Sequence, residues 1–436
     1  MRNLFRWMVA AWLGAAMTAP AAEEARLLTL ADARETALRM HPRITVAELR
    51  LLVAKEGVRE SQAGFYPVLS ANAAAVGSSE PNTRIASGGL TMSSVYDRAS
   101  AGLTLSQLVT DFGRTANLAA SSKLHAQAEG ENLAATRAQL LLQVEAAYLA
   151  TLEAQSVLRV TDQTVATRKL LRDQVSALAS NQLKSELDVG FAEVALKEAQ
   201  LLRARAVNDV QAAMTSLATL LGEPATAAFR LADVPMAARA VTNSSALVVM
   251  ALRERPELQR LRLERDSAGR QARAERASNY PTISVQGSAG VLPVHDPALD
   301  HDYAAAGIVL TMPLFNGNLN TARQREAELR AQIFDAGLRD EENNVIREVR
   351  IAALNLVNAS ERIDIARELL DQSRRTFALA DARYKAGASS IVEFSQAELN
   401  QTTSEIALER ARYEFLLQRS LLDYQTGTIA SVNPTP

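Results

Sequence analysis

Two hydrophobic periods share this chain. Thr282-Ile283-Ser284-Val285-Gln286-Gly287-Ser288-Ala289 alternates polar and apolar residues, and Arg98-Ala99-Ser100-Ala101-Gly102-Leu103-Thr104-Leu105-Ser106 does the same. A period of two places every second side chain on one face of a strand. The segments Pro67 to Val76 and Asp302 to Met312 alternate more loosely and complete two pairs. Strands are therefore predicted at 67–79 and 98–109, and at 281–292 and 302–314. The second period is a heptad. Val345, Val349, Ala352, Leu356, Ala359, Ile363, Ala366, Leu370, Ser373, Phe377, Ala380 and Tyr384 follow alternating steps of four and three. Leu140, Val144, Ala147, Thr151, Ala154, Leu158, Thr161 and Val165 follow it too, as does the run from Val189 to Leu220, in which Arg203 is the exception. Small residues alternating with larger ones let neighbouring helices approach closely. Helices over 115–178 and 319–384 contain no Pro, so each is roughly 95–100 Å long at 1.5 Å per residue.

These elements come twice. Ala37-Leu38-Arg39-Met40-His41-Pro42 recurs as Ala251-Leu252-Arg253-Glu254-Arg255-Pro256, and Tyr66-Pro67 as Tyr280-Pro281. Farther along, Ser185, Asp188 and Glu193 align with Ser390, Glu393 and Glu398 at an offset nine residues smaller, so one loop is shorter in the second copy. Each copy opens with an amphipathic helix, Leu30 to Ala63 or Ser244 to Ser278, interrupted near Pro42 or Pro256. Proline lacks the N–H and pushes its predecessor out of helical geometry, so the aromatic-Pro pairs end these helices. The organisation is a signal peptide over 1–21, a first repeat over 22–221 with its helical hairpin at 115–221, a linker over 222–243, a second repeat over 244–426 with its hairpin at 319–426, and a tail over 427–436. Gly77 to Tyr96 and Leu292 to His301 read as polar loops; Leu178 to Ser185 and Lys385 to Ser389 read as hairpin tips.

Aromatics make up only 5% of the 436 residues, which suits long, closely packed helices better than a bulky core. Arg2 and Arg6, the apolar run from Trp7 to Met17 and Ala19-Pro20-Ala21 form an export signal. The formal net charge is −2, and removing two arginines with the signal makes the mature chain more acidic, which argues against nucleic acid as a partner. There is no Cys, so disulfides and thiolate sites are excluded. No catalytic constellation or cofactor motif stands out, and no metal site is expected: His295-Asp296 and His301-Asp302 match no standard chelate spacing, and Glu341-Glu342 and Glu23-Glu24 read as surface pairs.

Alternation alone fits a soluble sandwich as well as a membrane barrel. Aromatic placement favours the membrane: Phe65, Tyr66, Phe112, Tyr280 and Phe315 fall at the helix-side ends of the strands, and Tyr96 and Tyr303 at the opposite ends, as in two interfacial girdles. Bacterial barrels start at about eight strands, and an open sheet edge cannot face lipid, so two strand pairs require several copies. Three copies supply twelve strands and, through two hairpins each, a twelve-helix tube.

The export signal, the aromatic-Pro before a strand, Gln107-(x)3-Asp111-x-Gly113-Arg114 after a strand, and Tyr384-Lys385-Ala386-Gly387-(x)5-Glu393 together resemble the TolC-type outer membrane efflux proteins over nearly the whole mature chain. The resemblance implies an α+β membrane protein of two structural repeats. Each repeat would add two strands to a trimeric twelve-stranded outer-membrane β-barrel and one long coiled-coil hairpin to a periplasmic tunnel. It implies a passive exit duct without enzymatic activity, serving efflux or type I protein secretion. Its partners would be two further copies, outer-membrane lipid, a periplasmic adaptor and an inner-membrane pump of the RND or ABC type. A periplasmic coiled-coil scaffold is the reading from another class. By matching positions, a periplasmic gate would comprise Asp188, Tyr384, Glu393 and Gln396. Adaptor-docking tips would comprise Asn181, Gln182, Leu183, Lys184 and Ser185, and Ala386, Gly387, Ala388 and Ser389. Three departures matter: Ser389 stands where the family often has a base, removing a salt bridge to Asp188; Gln396 leaves Glu393 as the only carboxylate ring; and the first tip lacks Gly, with Asn181 as its residue tolerant of left-handed backbone.

Overall fold

A computed structural model describes residues 26–76, 83–87, 90–95, 98–224, 229–236, 243–294 and 300–430. The export signal, Tyr96, His295, Asp296 and the last six residues lie outside these.

The first repeat begins with strand β1 (Arg26–Leu28) and helices α1 (Leu30–Met40) and α2 (Pro42–Ala63). Thr29 and Asp32 form a reciprocal cap at the start of α1, and Pro42 sits in the first turn of α2, where a missing N–H costs nothing. Strands β2 (Val68–Val76) and β5 (Arg98–Thr110) follow, then helices α3 (Arg114–Ser180) and α4 (Glu186–Leu221). The polar loop expected from Gly77 to Tyr96 is corrected: it carries a small hairpin, β3 (Thr83–Ser87) against β4 (Leu90–Val95). Its alternation is too short and irregular to stand out in the sequence. The expected linker is corrected too. It contains β6 (Phe229–Leu231), which pairs in parallel with β1 and buries Phe229.

The second repeat has α5 (Ser244–Glu254), α6 (Pro256–Ala277), β7 (Thr282–Val294), β8 (Asp302–Thr311), α7 (Leu319–Lys385) and α8 (Ile391–Gln425). Strand β8 stops at Thr311 rather than near 314, since Pro313 cannot donate to a ladder. The C-terminal segment does not hang free: Ile429 is buried against Ala138 and Leu141, and Arg34 donates to its carbonyl.

One antiparallel sheet runs β2-β5-β7-β8, so the repeats join through β5 and β7. Its register sorts the side chains. Leu69, Leu105, Gly287 and Ala306 align across the sheet, as do Ala71, Leu103, Ala289 and Ala304. The other face carries Ser70, Thr104, Ser288 and Ala305, then Asn72, Gly102, Gly290 and Tyr303. Asn72 Nδ2 donates to Thr104 Oγ1 at 3.1 Å on this polar face. Tyr303 therefore departs from the expected girdle position: its ring lies over Gly290 and Gly102, whose missing side chains leave a trough. A Cβ at Gly290 would stand 2.5 Å from the Ala101 carbonyl oxygen and 2.8 Å from Tyr303 Cε1. Gly290→Val is expected to disrupt the junction of the repeats at a cost of about 1–3 kcal/mol or more; loss of heat-resistant folded protein in the membrane fraction checks this, and wild-type yield and heat resistance would refute it. The helix-side aromatics behave as expected. Phe65, Tyr66, Phe112, Tyr280 and Phe315 are exposed, with the Phe112 and Tyr280 rings 6.0 Å apart.

At the strand-to-helix turn, Asp111 accepts from the Gly113 and Thr115 backbone N–H groups, at 3.1 and 2.7 Å, while Gln107 Nε2 donates to the Phe65 carbonyl at 3.0 Å. Gly113 takes φ 94°, and Asn318 takes φ 67° at the equivalent turn of the second repeat.

Of the heptad positions on α7, all but the half-buried Phe377 are buried. On α3 the expected seam holds in part: Leu140, Val144, Thr151 and Thr161 are buried, Ala147, Ala154, Leu158 and Val165 are half-buried, and toward the tip the buried stripe runs through Thr164, Arg168, Leu171 and Val175. Helix α3 packs on α2, α4, α6 and α8 along its length, so no single stripe describes it. The main core sits where α1, β1, β6 and the middles of the long helices meet. There the Tyr148 hydroxyl lies 2.9 and 2.7 Å from the carbonyl oxygens of Leu28 and Ala232.

Candidate functional site

The site is assembled from the two hairpin tips. Helix α3 ends at Ser180, later than the expected tip start at 178, and Asn181 Nδ2 donates to the Ala177 carbonyl at 2.8 Å. The left-handed residue is Gln182, with φ 61°, rather than Asn181, which spends its side chain on the helix end. Leu183 N then returns to the Leu178 carbonyl at 2.9 Å. Ser185 and Asp188 cap α4 reciprocally: Asp188 N donates to Ser185 Oγ at 3.2 Å, while Ser185 N and Oγ donate to Asp188 Oδ2 at 3.1 and 2.9 Å. In the second tip, Gly387 takes φ 72°, Ala388 N bonds the Arg383 carbonyl at 2.8 Å, and Ser390 Oγ accepts from Glu393 N at 3.2 Å. Ala386 ends α7, and Ser389 precedes the capping Ser390.

The tips of one chain meet through an apolar cluster. Leu171, Val175, Val189 and Ala192 of the first hairpin pack with Phe377, Tyr384, Ile391 and Phe394 of the second. The Tyr384 ring lies 5.4 Å from that of Phe394, and Lys184 Nζ sits 4.5 Å from its centroid. Such cation–π contacts strengthen as water is excluded. The buried Tyr384 hydroxyl makes no hydrogen bond among the described residues. Burial, with the nearby charge of Asp188, raises its pKa above the usual phenol value.

The four matched residues thus occupy different environments. Asp188 and Tyr384 share one neighbourhood with Lys184. Glu393 is ion-paired to Arg383 at 3.1 Å, so it is not a bare carboxylate, and Gln396 donates along its own helix to Asn400. Sequence reading missed Arg383, although it lies one residue before Tyr384. It also missed that Ser185-x-x-Asp188 and Ser390-x-x-Glu393 have capping-box spacing, a pattern visible in the sequence. The buried pair Arg168–Glu398, 3.3 Å apart between α3 and α8, gave no sequence signal beyond a charged residue near a seam.

Among the described residues no group of three or more His, Asp or Glu is placed to hold a metal ion, and no helix is long and apolar enough to cross a membrane. The four-stranded sheet, by contrast, exposes Leu69, Leu103, Leu105 and Ile308 from a single apolar face.

The profile of the family described as "Outer membrane efflux protein" matches residues 33–223 and 247–428, which is both repeats. The chain belongs to this family. It is similar to the toluene efflux pump outer membrane protein TtgC of Pseudomonas putida, 24% identical over 390 residues, covering 86% of this chain and 78% of that one. It is also similar to the alkaline protease secretion protein AprF of Pseudomonas aeruginosa, 27% identical over 312 residues, covering 67% of this chain and 62% of AprF. The solved outer membrane protein VceC of Vibrio cholerae shares the fold, with a TM-score of 0.80 at 18% identity, over 91% of this chain and 96% of VceC. This outer membrane efflux protein is an outer-membrane channel subunit with a helical tunnel reaching into the periplasm.

Proposed function

We propose that the chain is one third of a passive exit duct, receiving cargo from an inner-membrane pump through a periplasmic adaptor docked on the hairpin tips. The observation that carries this reading is the open sheet: among the described residues β2 and β8 each pair on one side only, and its apolar face is exposed. Unpaired strand edges are not tolerated in lipid, so copies must close on one another. Within the chain, α7 neighbours α8, α8 neighbours α3, and α3 neighbours α4. A closed tube then sets α4 of one copy against α7 of the next. In this reading the chain is a conduit and performs no chemistry itself.

A heat-resistant trimer in the outer-membrane fraction is the expected result; a water-soluble monomer after signal removal would overturn the duct and favour the scaffold. Likeness to both TtgC and AprF supports efflux and secretion alike, and so RND or ABC pumps alike. Gene disruption with drug-susceptibility and secreted-protein readouts separates the two.

Asp188, Tyr384, Glu393 and Gln396 serve as the gate in this reading, with Lys184 and Arg383 added by geometry. Tyr384→Ala with Glu393→Ala removes the ring that packs on Phe394 and lies under Lys184 of the first tip, and frees Arg383. Its expected effect is a several-fold rise in mean conductance in planar bilayers, through a larger open fraction, the truncation costing about 3–5 kcal/mol of closed-state packing as for other buried aromatics. Conductance equal to wild type would remove both residues from the gate.

A further inference from the structure

The seams inside the hairpins and the seam between them differ in chemistry. Helix α7 brings Ala352, Leu356, Ala359 and Ile363 to the core that also holds Leu408, Ala411 and Leu416 of α8, a largely apolar stripe. Between the main core and the apolar cluster at the tips, the α3–α8 seam has a polar stretch. Ser156 Oγ lies 3.3 Å from the Tyr413 hydroxyl, Thr164 Oγ1 lies 3.3 Å from Thr402 Oγ1, and Arg168 Nε lies 3.3 Å from Glu398 Oε2. The last pair is nearest the tips and almost dry, with the two side chains 4% and 6% exposed. Arg168 Nη1 also donates to the Ala195 carbonyl of α4 at 2.6 Å, and Glu198 of α4 stands 3.7 Å away. Among the described residues neither Glu398 oxygen, nor Arg168 Nε, makes a well-aligned hydrogen bond.

A buried ion pair left short of hydrogen bonds recovers little of its desolvation cost, yet it fixes register, because either charge without the other is costly. Parting an apolar seam exposes hydrocarbon to water, whereas parting this one returns two charges to water. We propose that Arg168–Glu398 is a release latch, which aligns the second hairpin on the first while the tips are closed and lowers the cost of separating α8 from α3. This rests on the duct reading, in which the tips part.

The charged groups facing Glu398 are Arg168 of α3 and, across the same guanidinium, Glu198 of α4. The pair Arg374–Glu405 of α7 and α8 lies two turns away, and Arg383–Glu393 lies toward the tip. Burial pushes the Glu398 carboxyl above the ordinary carboxylate range, more than Arg168 pulls it down. The closed state therefore holds this proton more tightly than a hydrated open state. Acid favours closure, and that contribution is lost as pH rises through the raised value.

The test is single-channel recording of purified trimers across pH about 4.5–7.5, a window spanning carboxylate titration. Arg168→Met with Glu398→Leu is expected to keep or raise heat resistance, lower opening frequency at least several-fold and flatten the pH profile. Glu398→Gln alone mimics the protonated carboxyl and is expected to hold opening frequency near the wild-type acid value across the whole pH range. Openings of the double variant that match wild type in frequency and pH dependence would reduce the pair to a structural contact. Should that variant fail to assemble, Thr164→Cys with Thr402→Cys supplies the decision in a chain that has no other cysteine. Its oxidised form is expected to stay shut and its reduced form to open; equal conductance of both would overturn the latch. The Tyr384→Ala, Glu393→Ala variant serves as control: no conductance from it or from wild type would count against the duct itself, whereas an opening control beside an unaffected double variant would sink the latch alone.

Discussion

Phe191→Lys combined with Val194→Lys is expected to leave the protein as unassembled single chains. Leu187, Phe191, Val194 and Leu201 are exposed on α4, at spacings of four, three and seven that place them on one stripe. On α7, Ile365, Leu369 and Leu379 are exposed in the same way. The order α7-α8-α3-α4 leaves these two stripes as the flanks of the chain, where a neighbouring copy must sit. Two buried lysines would each incur a desolvation cost of several kcal/mol with no carboxylate built to meet them. The measurement is the heat-resistant trimer on a denaturing gel, backed by chemical cross-linking. Trimers of unchanged heat resistance would mean that this stripe faces water.

Tyr148→Ala has the next largest expected effect, a loss of about 3–5 kcal/mol, as is usual for truncating a fully buried aromatic residue. Its side chain is wholly buried, and its hydroxyl holds β1 and the segment after β6 together through Leu28 and Ala232. Tyr148→Phe keeps the ring but takes the hydroxyl donor from the Ala232 carbonyl, while Leu28 O still accepts from Ala232 N, costing about 1–3 kcal/mol. Heat resistance of the two variants should fall in that order; a Tyr148→Ala protein as resistant as wild type would show that the segment closes without the ring. Burial is the main cause pushing the Tyr148 hydroxyl up to about 12. The folded state then binds its proton more tightly, so this stability is present below pH about 10 and lost as pH rises toward about 12. Tyr424, also pushed up to about 12, makes a separate contribution. Tyr148→Phe should therefore remove only part of the alkaline sensitivity.

The repeat, the strand pairs and the long hairpins were legible because each rests on a simple period. The α7 seam could be read from the sequence because its heptad positions fall along one continuous stripe. The α3 seam could be read only in part, at Leu140, Val144, Thr151 and Thr161, because successive lengths of that helix face different neighbours and its buried stripe shifts with them. Tyr303 looked like an interfacial aromatic from its place at a strand end; only the register shows Gly102 and Gly290 beneath its ring. At the tips, residue types pointed to the right neighbourhood but not to partners. Asp188 is occupied by a helix cap, and Glu393 by Arg383. Arg168 and Glu398 stand 230 positions apart in the chain, and charged residues so placed read as surface until two hairpins are packed together.

The pairing of β5 with β7 also sets a timetable. These strands are neighbours in space, yet α3, α4, α5 and α6 all intervene in sequence. Contacts between such distant segments form slowly, because a long loop must be closed before they return any free energy. The first repeat cannot complete its share of the sheet until the second has crossed the inner membrane. During export, β2 and β5 therefore wait as an incomplete pair with an apolar face and open edges, a state prone to aggregation. A carrier that shields this half-sheet in the periplasm would be needed earlier, and for longer, than one acting on the finished chain.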